Sequence, residues 1–173
     1  MPLLLLHPGD VFCVRSPGAL GVIIRGIQWF NSRDGEAPYN HAGIITTAAG
    51  DIIEAHWRIR KASIWQYEGQ RILIGRYLGL TRRRHRSAMA IIQEKYLGKP
   101  YPAWRLFLHL VPPLAKFLST RRHAVCSELP AEYLYLVGAR HRQWPGTTPD
   151  ILADELRRWQ VHKVLFEGVL RRP

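Results

Sequence analysis

Cysteine is scarce in this sequence: Cys13 and Cys126 are the only two among 173 residues. Two cysteines are too few for the disulfide framework that holds small secreted domains together. A single bridge between them stays open as the less favoured arrangement. The cysteines and the eight histidines also lack the paired spacing of a zinc site. The sequence therefore implies no metal and no cofactor.

Long apolar runs are also lacking. The first ten residues, MPLLLLHPGD, contain four leucines but no basic region, and Pro8-Gly9 ends the run. The stretch over 104–118 is interrupted by Arg105, His109 and two prolines. Neither segment has the pattern of a signal peptide or a membrane span. The expected location is the cytoplasm as synthesised, with delivery elsewhere only through a secretion system or a phage particle.

Acidic residues are few compared with basic ones. The 13 Asp and Glu residues face 25 Lys and Arg residues, which gives a net charge of +12 and a pI near 10.4. Such a charge favours polyanions, namely nucleic acid, lipid head groups or cell-wall polymers. An anionic polymer or surface is thus the expected partner. A nucleic-acid-binding module is the rival interpretation, although no nucleic-acid-binding motif accompanies the charge.

The composition is that of one globular domain over residues 1–173, because 47% of the residues are hydrophobic and 22% are charged. Alternating apolar residues and turn signals predict an antiparallel sheet, and helical spacing with capping residues predicts helices. The fold class is therefore α+β. The predicted strands are Gly9–Arg15, His41–Thr47, Ile52–Trp57, Arg71–Leu78 and His162–Leu170. The predicted helices are 16–32 with Ser16 as cap, Ser87–Gly98 with Ser87 as cap, Cys126–Val137, and one that starts at Thr147 or Thr148.

Cys126 stands where an apolar helical pattern begins. A thiol attacks a carbonyl as thiolate, and both a helix N-terminus and a neighbouring imidazolium favour the thiolate. The N–H groups of the first helical turn can also stabilise an oxyanion at the attacked carbonyl. The alternative is that Cys126 is a small apolar residue packed beneath the helix. Cys13 lies in a predicted strand among apolar residues and is interpreted as core.

His41 is the best candidate for the partner of the thiol, because it opens an apolar strand and can project beyond the sheet edge. Glu54 is the candidate acceptor for the second nitrogen of that imidazole, since an unpaired carboxylate between apolar neighbours is costly. His56 lies on the same predicted strand face as Glu54 and is a rival acceptor or base. The other histidines are assigned to the solvated surface (His7, His85, His123, His141) or to satisfied positions in the core (His109, His162).

Five short motifs occur in a characteristic order. Together they resemble the permuted NlpC/P60 papain-like cysteine hydrolases, which include the YiiX/YaeF-type amidases and, more distantly, lecithin:retinol acyltransferase-like enzymes. The resemblance runs from about Gly9 to Leu156 and includes TTPDILADEL after the last motif. The motifs are GDVF at 9–12, NHAGI at 40–44, IIEA at 52–55, YLGKPY at 96–101 and VCSEL at 125–129.

This resemblance implies a circularly permuted papain-like fold, with an antiparallel sheet packed on the nucleophile helix. It implies Cys126 as nucleophile, His41 as general base and Glu54 as the residue that orients the imidazole. The substrate contacts that it implies are Asn40, Tyr101 and Ser127.

The implied activity is cleavage of an amide bond, in a peptidoglycan peptide or similar, through a thioacyl-enzyme. One alternative is a lipid ester or amide hydrolase or acyltransferase at a membrane surface. Another is a papain-like fold that serves only as a structural component.

Overall fold

The structure is a computed structural model, which describes residues 4–16, 38–56, 58–99, 126–141, 147–158 and 160–172. Within these ranges the chain forms one six-stranded sheet in which every neighbouring pair is antiparallel, in the order β4-β3-β2-β1-β5-β6. The class is α+β, as the sequence predicts. The strands are β1 (Val11–Val14), β2 (His41–Ile45), β3 (Asp51–Ala55), β4 (Ile59–Ser63), β5 (Arg71–Tyr77) and β6 (His162–Val169).

The sheet is covered on both faces, which explains why its central strand is apolar at every position. Val11 and Cys13 of β1 point into one core, while Phe12 and Val14 point into another. All four residues are fully buried. Successive side chains of a strand alternate between faces, so a strand that is buried on both sides has a continuous hydrophobic sequence.

Three helices in the described ranges cover the first face. They are α1 (Arg82–Tyr96), α2 (Glu128–Leu136) and α3 (Pro149–Leu156). Each contributes apolar side chains to the core that contains Cys13, for example Ile92, Leu129 and Leu152. The second face is closed by Leu6, Leu170 and the 3-10 helix Ile64–Tyr67.

A buried carboxylate fixes α2 against α1. Glu132 of α2 is 2% exposed and accepts hydrogen bonds from Lys95 Nζ at 2.6 Å and from the Tyr96 hydroxyl. A lone buried charge would be costly, and these two donors compensate it. The contact fixes the middle of α2 against α1, and Cys126 precedes the same helix.

The Asp10 of the GDVF motif has a comparable structural role. Its carboxylate is fully buried and is held by Arg76 of β5 through Nε at 2.7 Å and Nη2 at 2.9 Å. The backbone N–H of His7 also donates to it. These bonds tie the N-terminal segment to the sheet beside β1.

Several predicted boundaries require correction. The helix α1 begins at Arg82 with Thr81 as its cap, whereas the sequence placed the cap at Ser87. Strand β4 and the 3-10 helix were not predicted. Of the two candidate caps of α3, Thr148 is the one that accepts the N–H of Ile151. The helix predicted over 16–32 lies outside the described residues except for Ser16.

Candidate active site

Cys126 lies immediately before α2, whose N-cap is Ser127. It is a free thiol and is 4% exposed. Its Sγ lies 3.9 Å from the backbone oxygen of Asn40, the residue that precedes β2. The thiol therefore sits between the N-terminus of a helix and the first residue of β2. N–H groups in the first turn of a helix have no carbonyl partner four residues earlier, so this end of α2 favours negative charge.

His41 is the first residue of β2, and its ring lies at the end of the strand beside Cys126. The imidazole is largely buried, with the Tyr67 ring centroid at 5.8 Å and the Phe12 ring centroid at 6.5 Å. Its Nε2 lies 2.9 Å from Oε2 of Glu54. Because Glu54 engages Nε2, Nδ1 is the nitrogen left for the thiol.

The electrostatic environment favours the imidazolium form of His41. Burial by itself lowers the pKa of His41, but hydrogen bonds to Cys126 and Glu54, together with the negative charges of both groups, raise it to about 9. The ordinary value is near 6.5. An imidazolium at neutral pH is the partner that a thiolate requires.

Glu54 is held by more groups than His41 alone. Its carboxylate is fully buried on β3, and β2 and β4 flank it. Arg60 donates to Oε1 through Nε at 2.9 Å and Nη2 at 2.8 Å, and Gln66 Nε2 donates to the same oxygen at 3.1 Å. The Tyr67 hydroxyl donates to Oε2 beside His41.

These contacts keep Glu54 ionised. Burial alone raises the pKa of Glu54, but the hydrogen bond and charge of His41 and the hydrogen bonds from Tyr67 and Arg60 lower it to about 2. The pKa of the Tyr67 hydroxyl shifts upwards instead, because burial and the neighbouring Glu54 carboxylate both raise it. Tyr67 is therefore protonated and remains a donor.

Arg60, Gln66 and Tyr67 were not found by sequence reasoning. Arg60 lies on β4 directly opposite Glu54, in the register Glu54↔Arg60, and the other two belong to the 3-10 helix that follows β4. A predicted β4 would have supplied a signal for Arg60, because opposite charges on neighbouring strands pair across a sheet. The segment RIRKAS is short and basic, and it shows little of the apolar alternation that reveals a strand.

Three further residues were predicted to contact the substrate. The side chain of Asn40 is buried and bonds the backbone of Ser16, accepting from its N–H at 2.8 Å and donating to its oxygen at 2.9 Å. The Ser127 hydroxyl donates to the Thr147 backbone oxygen at 2.6 Å. Both side chains thus hold the site together, and substrate contact through them stays a prediction. Tyr101 lies outside the described residues.

The rival positions do not converge on the thiol. His56 follows the end of β3 and is exposed, so His41 takes the place next to Glu54 that the sequence left open to either histidine. Burial and the Arg60 charge lower the pKa of His56.

Cys13 is fully buried with its Sγ 3.5 Å from the Pro149 backbone oxygen, and burial raises the pKa of its thiol. The interpretation of Cys13 as core is confirmed.

Two further features are lacking among the described residues. In these ranges, no cluster of three or more His, Cys, Asp or Glu side chains is arranged to hold a metal ion. None of the helices described is both long enough and apolar enough to cross a membrane.

Comparison with known proteins finds similarity at the level of structure. No family model and no curated protein matches the chain. A solved structure, titled the crystal structure of metalloprotein yiiX from Escherichia coli O157:H7, DUF1105, is similar with a TM-score of 0.54 at 16% identity. The match covers 93% of this chain and 88% of that one. At this identity the likeness shows the fold, which is consistent with a YiiX-type architecture.

Proposed function

We propose that this protein is a cysteine hydrolase with a circularly permuted papain-like fold, which cleaves an amide bond through a thioacyl-enzyme. The main support for the proposal is that Cys126, His41 and Glu54 follow one another in space, from the N-terminus of α2 into the sheet. Cys126 lies close enough to His41 to raise the pKa of the imidazole, and His41 Nε2 lies 2.9 Å from the buried carboxylate of Glu54. Nucleophile, base and orienting acceptor in this order are the arrangement that activates a thiol.

The first half of the reaction would form the thioester. The Cys126 thiolate attacks the carbonyl carbon, and the carbonyl π electrons move to the oxygen. N–H groups at the start of α2 stabilise this oxyanion. When the tetrahedral intermediate collapses, the carbon–nitrogen bond breaks and the His41 imidazolium gives its proton to the departing amine.

The second half would release the acyl group. Neutral His41 takes a proton from water as the water oxygen attacks the thioester carbon. Collapse of this intermediate breaks the carbon–sulfur bond and yields a carboxylic acid, with the thiolate and the imidazolium restored. Glu54 remains ionised in both halves and holds the imidazole through Nε2, so that Nδ1 faces the reacting atoms.

The chain order of these groups supports the permuted form. The base precedes the nucleophile here, since β2 carries His41 and α2 follows Cys126 much later in the sequence. The YiiX-type architecture found by comparison agrees with the sequence resemblance to permuted members of the family.

The favoured substrate class is a peptide amide within an anionic polymer such as peptidoglycan. Its support is electrostatic, because the chain carries +12 and the side chains of Arg82, Arg83, Arg84 and Arg86 are exposed on the first turns of α1. A positive surface raises the local concentration of an anionic polymer and speeds association.

Mass spectrometry of the intact protein tests this function. We expect incubation with peptidoglycan stem-peptide amides to give a thioacyl adduct at Cys126 and release of an amine. Cys126→Ala is expected to lower amine release by about a thousandfold or more, because the reaction proposed here forms its covalent intermediate on this thiol. Cys13→Ala is the matched control and should retain turnover.

Two outcomes would contradict the proposal. Amine release that persists in Cys126→Ala would show that the Cys126 thiol is not the nucleophile. A glycerolipid ester is tested in parallel. An adduct formed only with this ester would show that the substrate is a lipid and not a peptide amide.

A further inference from the structure

A second cleft lies away from the candidate active site. It has a volume of about 630 Å³ and is formed by the ends of β5 and β6, the segment after α2, and α3. Cys126 precedes α2 and Gly138, one of the lining residues, follows it, so the nine residues of the helix separate these two positions by roughly 15 Å along the helix axis. The cleft is lined by Tyr77, Gly138, Arg140, Glu155, Arg158 and His162, among others.

His162 is the unusual group in this cleft. The sequence placed it among satisfied core histidines, and the structure corrects this. The residue is only 2% exposed, and neither ring nitrogen has a hydrogen-bond partner of good geometry among the described residues, although the Glu155 backbone lies close enough to act on the ring. Buried polar atoms without partners are rare because each forfeits its bonds to water. Two such atoms on one ring that lines a cleft indicate a ligand that supplies the missing bonds.

The charge around His162 is positive. Arg158, two residues after the end of α3, is exposed and forms no ion pair within the described part of the chain, yet it lies close enough to lower the pKa of His162. Among the described residues that line the cleft, Glu155 is the only carboxylate; it pairs with Arg140 Nε at 3.4 Å, and the Arg158 charge acts on it as well. Arg84 of α1 adds positive charge next to Gly138, one of the lining residues, since its Nη1 lies 3.7 Å from the position that a Cβ on Gly138 would take.

We propose that this cleft binds a phosphate group, with the Arg158 guanidinium and the His162 ring nitrogen as donors. Arginine matches the geometry of a phosphate through its planar fork of N–H groups. Ile151 and Leu78 line the same cleft with 51% and 59% exposure, so the group attached to the phosphate would pack against apolar side chains. The volume suits such a ligand.

The groups that face His162 allow it to respond to an anion. They are Tyr77 from β5, Glu155 from α3, and Arg158 just after α3; His141 and Arg140 line the same cleft. Burial lowers the pKa of His162 to about 4; the Glu155 backbone opposes this in part, and the Arg158 charge adds to it. A bound phosphate would neutralise Arg158 and accept a hydrogen bond from His162, so both changes favour the protonated ring.

Proton NMR of the histidine ring tests the site on the full chain. Inorganic phosphate is titrated against sodium chloride at equal ionic strength, with the His162 signal assigned from a His162→Leu variant. We expect a saturable shift of that signal and a rise of roughly one unit in the His162 pKa, which corresponds to about tenfold tighter binding to the protonated form.

Two arginine variants separate a built site from general positive charge. Arg158→Ala removes an exposed donor and is expected to weaken phosphate binding about tenfold. Arg171→Ala is the matched control, since it deletes an equal charge on an exposed arginine beyond the other end of β6. Absence of a saturable shift, or equal weakening in both variants, would overturn the proposal.

Vesicles distinguish the two sources of phosphate. If vesicles that contain phosphatidic acid sediment the wild type but not Arg158→Ala, the phosphate belongs to a lipid head group. If vesicles do not sediment the protein while glycerol phosphate saturates the His162 shift, the ligand is a soluble phosphate ester. Cys126 alkylation should be unchanged in Arg158→Ala. The phosphate-binding proposal and the proposed hydrolase activity are therefore tested by separate measurements.

Discussion

Iodoacetamide at about pH 6 is expected to alkylate Cys126 and to leave Cys13 untouched in the folded protein. The reason is the difference between the two environments. Cys126 lies at the N-terminus of α2 beside His41, whose pKa is raised to about 9, so its partner is an imidazolium at this pH. Cys13 is fully buried in β1, and burial raises the pKa of its thiol.

The expected size of this effect follows from the route by which Cys13 can react. Cys13 reacts only when the protein unfolds, and a stability of about 5 kcal/mol leaves the unfolded fraction at roughly one in several thousand. The labelling rates of the two cysteines should therefore differ by about a thousandfold. Peptide mapping after brief treatment with less than one equivalent of reagent measures the ratio.

The His41→Ala variant tests whether the imidazolium of His41 causes the high reactivity of Cys126. Removal of the imidazolium should lower the Cys126 labelling rate at about pH 6 by tenfold or more, because the thiolate loses its counter-charge. Similar, slow labelling of both cysteines with an ordinary thiol pH profile would show that Cys126 is a packed core residue and not an activated nucleophile. A Cys126 rate that is unchanged in His41→Ala would leave the helix as the only source of activation.

Glu54→Gln is expected to lower the free energy of unfolding by about 3–5 kcal/mol, which is the usual cost when a buried ion pair loses one partner. The glutamine keeps the shape of the side chain but removes the charge that compensates Arg60 and His41. Its amide N–H₂ also replaces one of two oxygens that both accept hydrogen bonds in the native protein. Urea denaturation near neutral pH measures the loss.

The matched control is Glu94→Gln, which makes the same chemical change on an exposed residue of α1. It should change stability by less than about 0.5 kcal/mol. Equal stability of Glu54→Gln and the wild type would show that the carboxylate is not ionised within this cluster.

The same residue predicts how stability depends on acid. The Glu54 pKa is lowered from its ordinary 4.5 to about 2 in the folded protein, so its contribution is complete above pH 4.5 and disappears as the pH falls through 2. Integrated over that range it amounts to about 3 kcal/mol. Glu54→Gln should lack this part of the acid dependence, which a series of urea titrations between those pH values detects.

The three central groups of the site could be predicted because each has a local signature. His41 opens an apolar strand, Glu54 interrupts one, and Cys126 precedes a helical pattern. Strand alternation then places His41 and Glu54 within reach across an antiparallel pair. The structure brings them together at 2.9 Å.

The groups around Glu54 could not be predicted in the same way. The position of Arg60 depends on the register between β3 and β4, which is set by contacts between segments and not by local pattern. Gln66 and Tyr67 belong to a single 3-10 turn, and such short elements leave little trace in hydrophobic periodicity. The start of α1 was missed for a related reason, because its first turn carries several arginines and no acidic residue.

His162 shows a further limit of reading burial from sequence. Its apolar neighbours correctly indicate that the side chain is buried. Whether a buried imidazole has partners depends on which backbone and side-chain groups the fold brings to it, and that information is not local. The cleft around His162 is likewise assembled from the ends of β5, β6 and α3 and from the segment after α2.

An NMR titration of the His41 ring tests the central claim most directly. The account predicts an apparent pKa of about 9 for His41 in the wild type. It also predicts a fall of more than one unit in Cys126→Ala, because the hydrogen bond and the charge of the thiolate are then absent while burial still opposes protonation. A His41 that titrates near its ordinary 6.5 and does not respond to loss of Cys126 would contradict the pairing on which the proposed hydrolase rests.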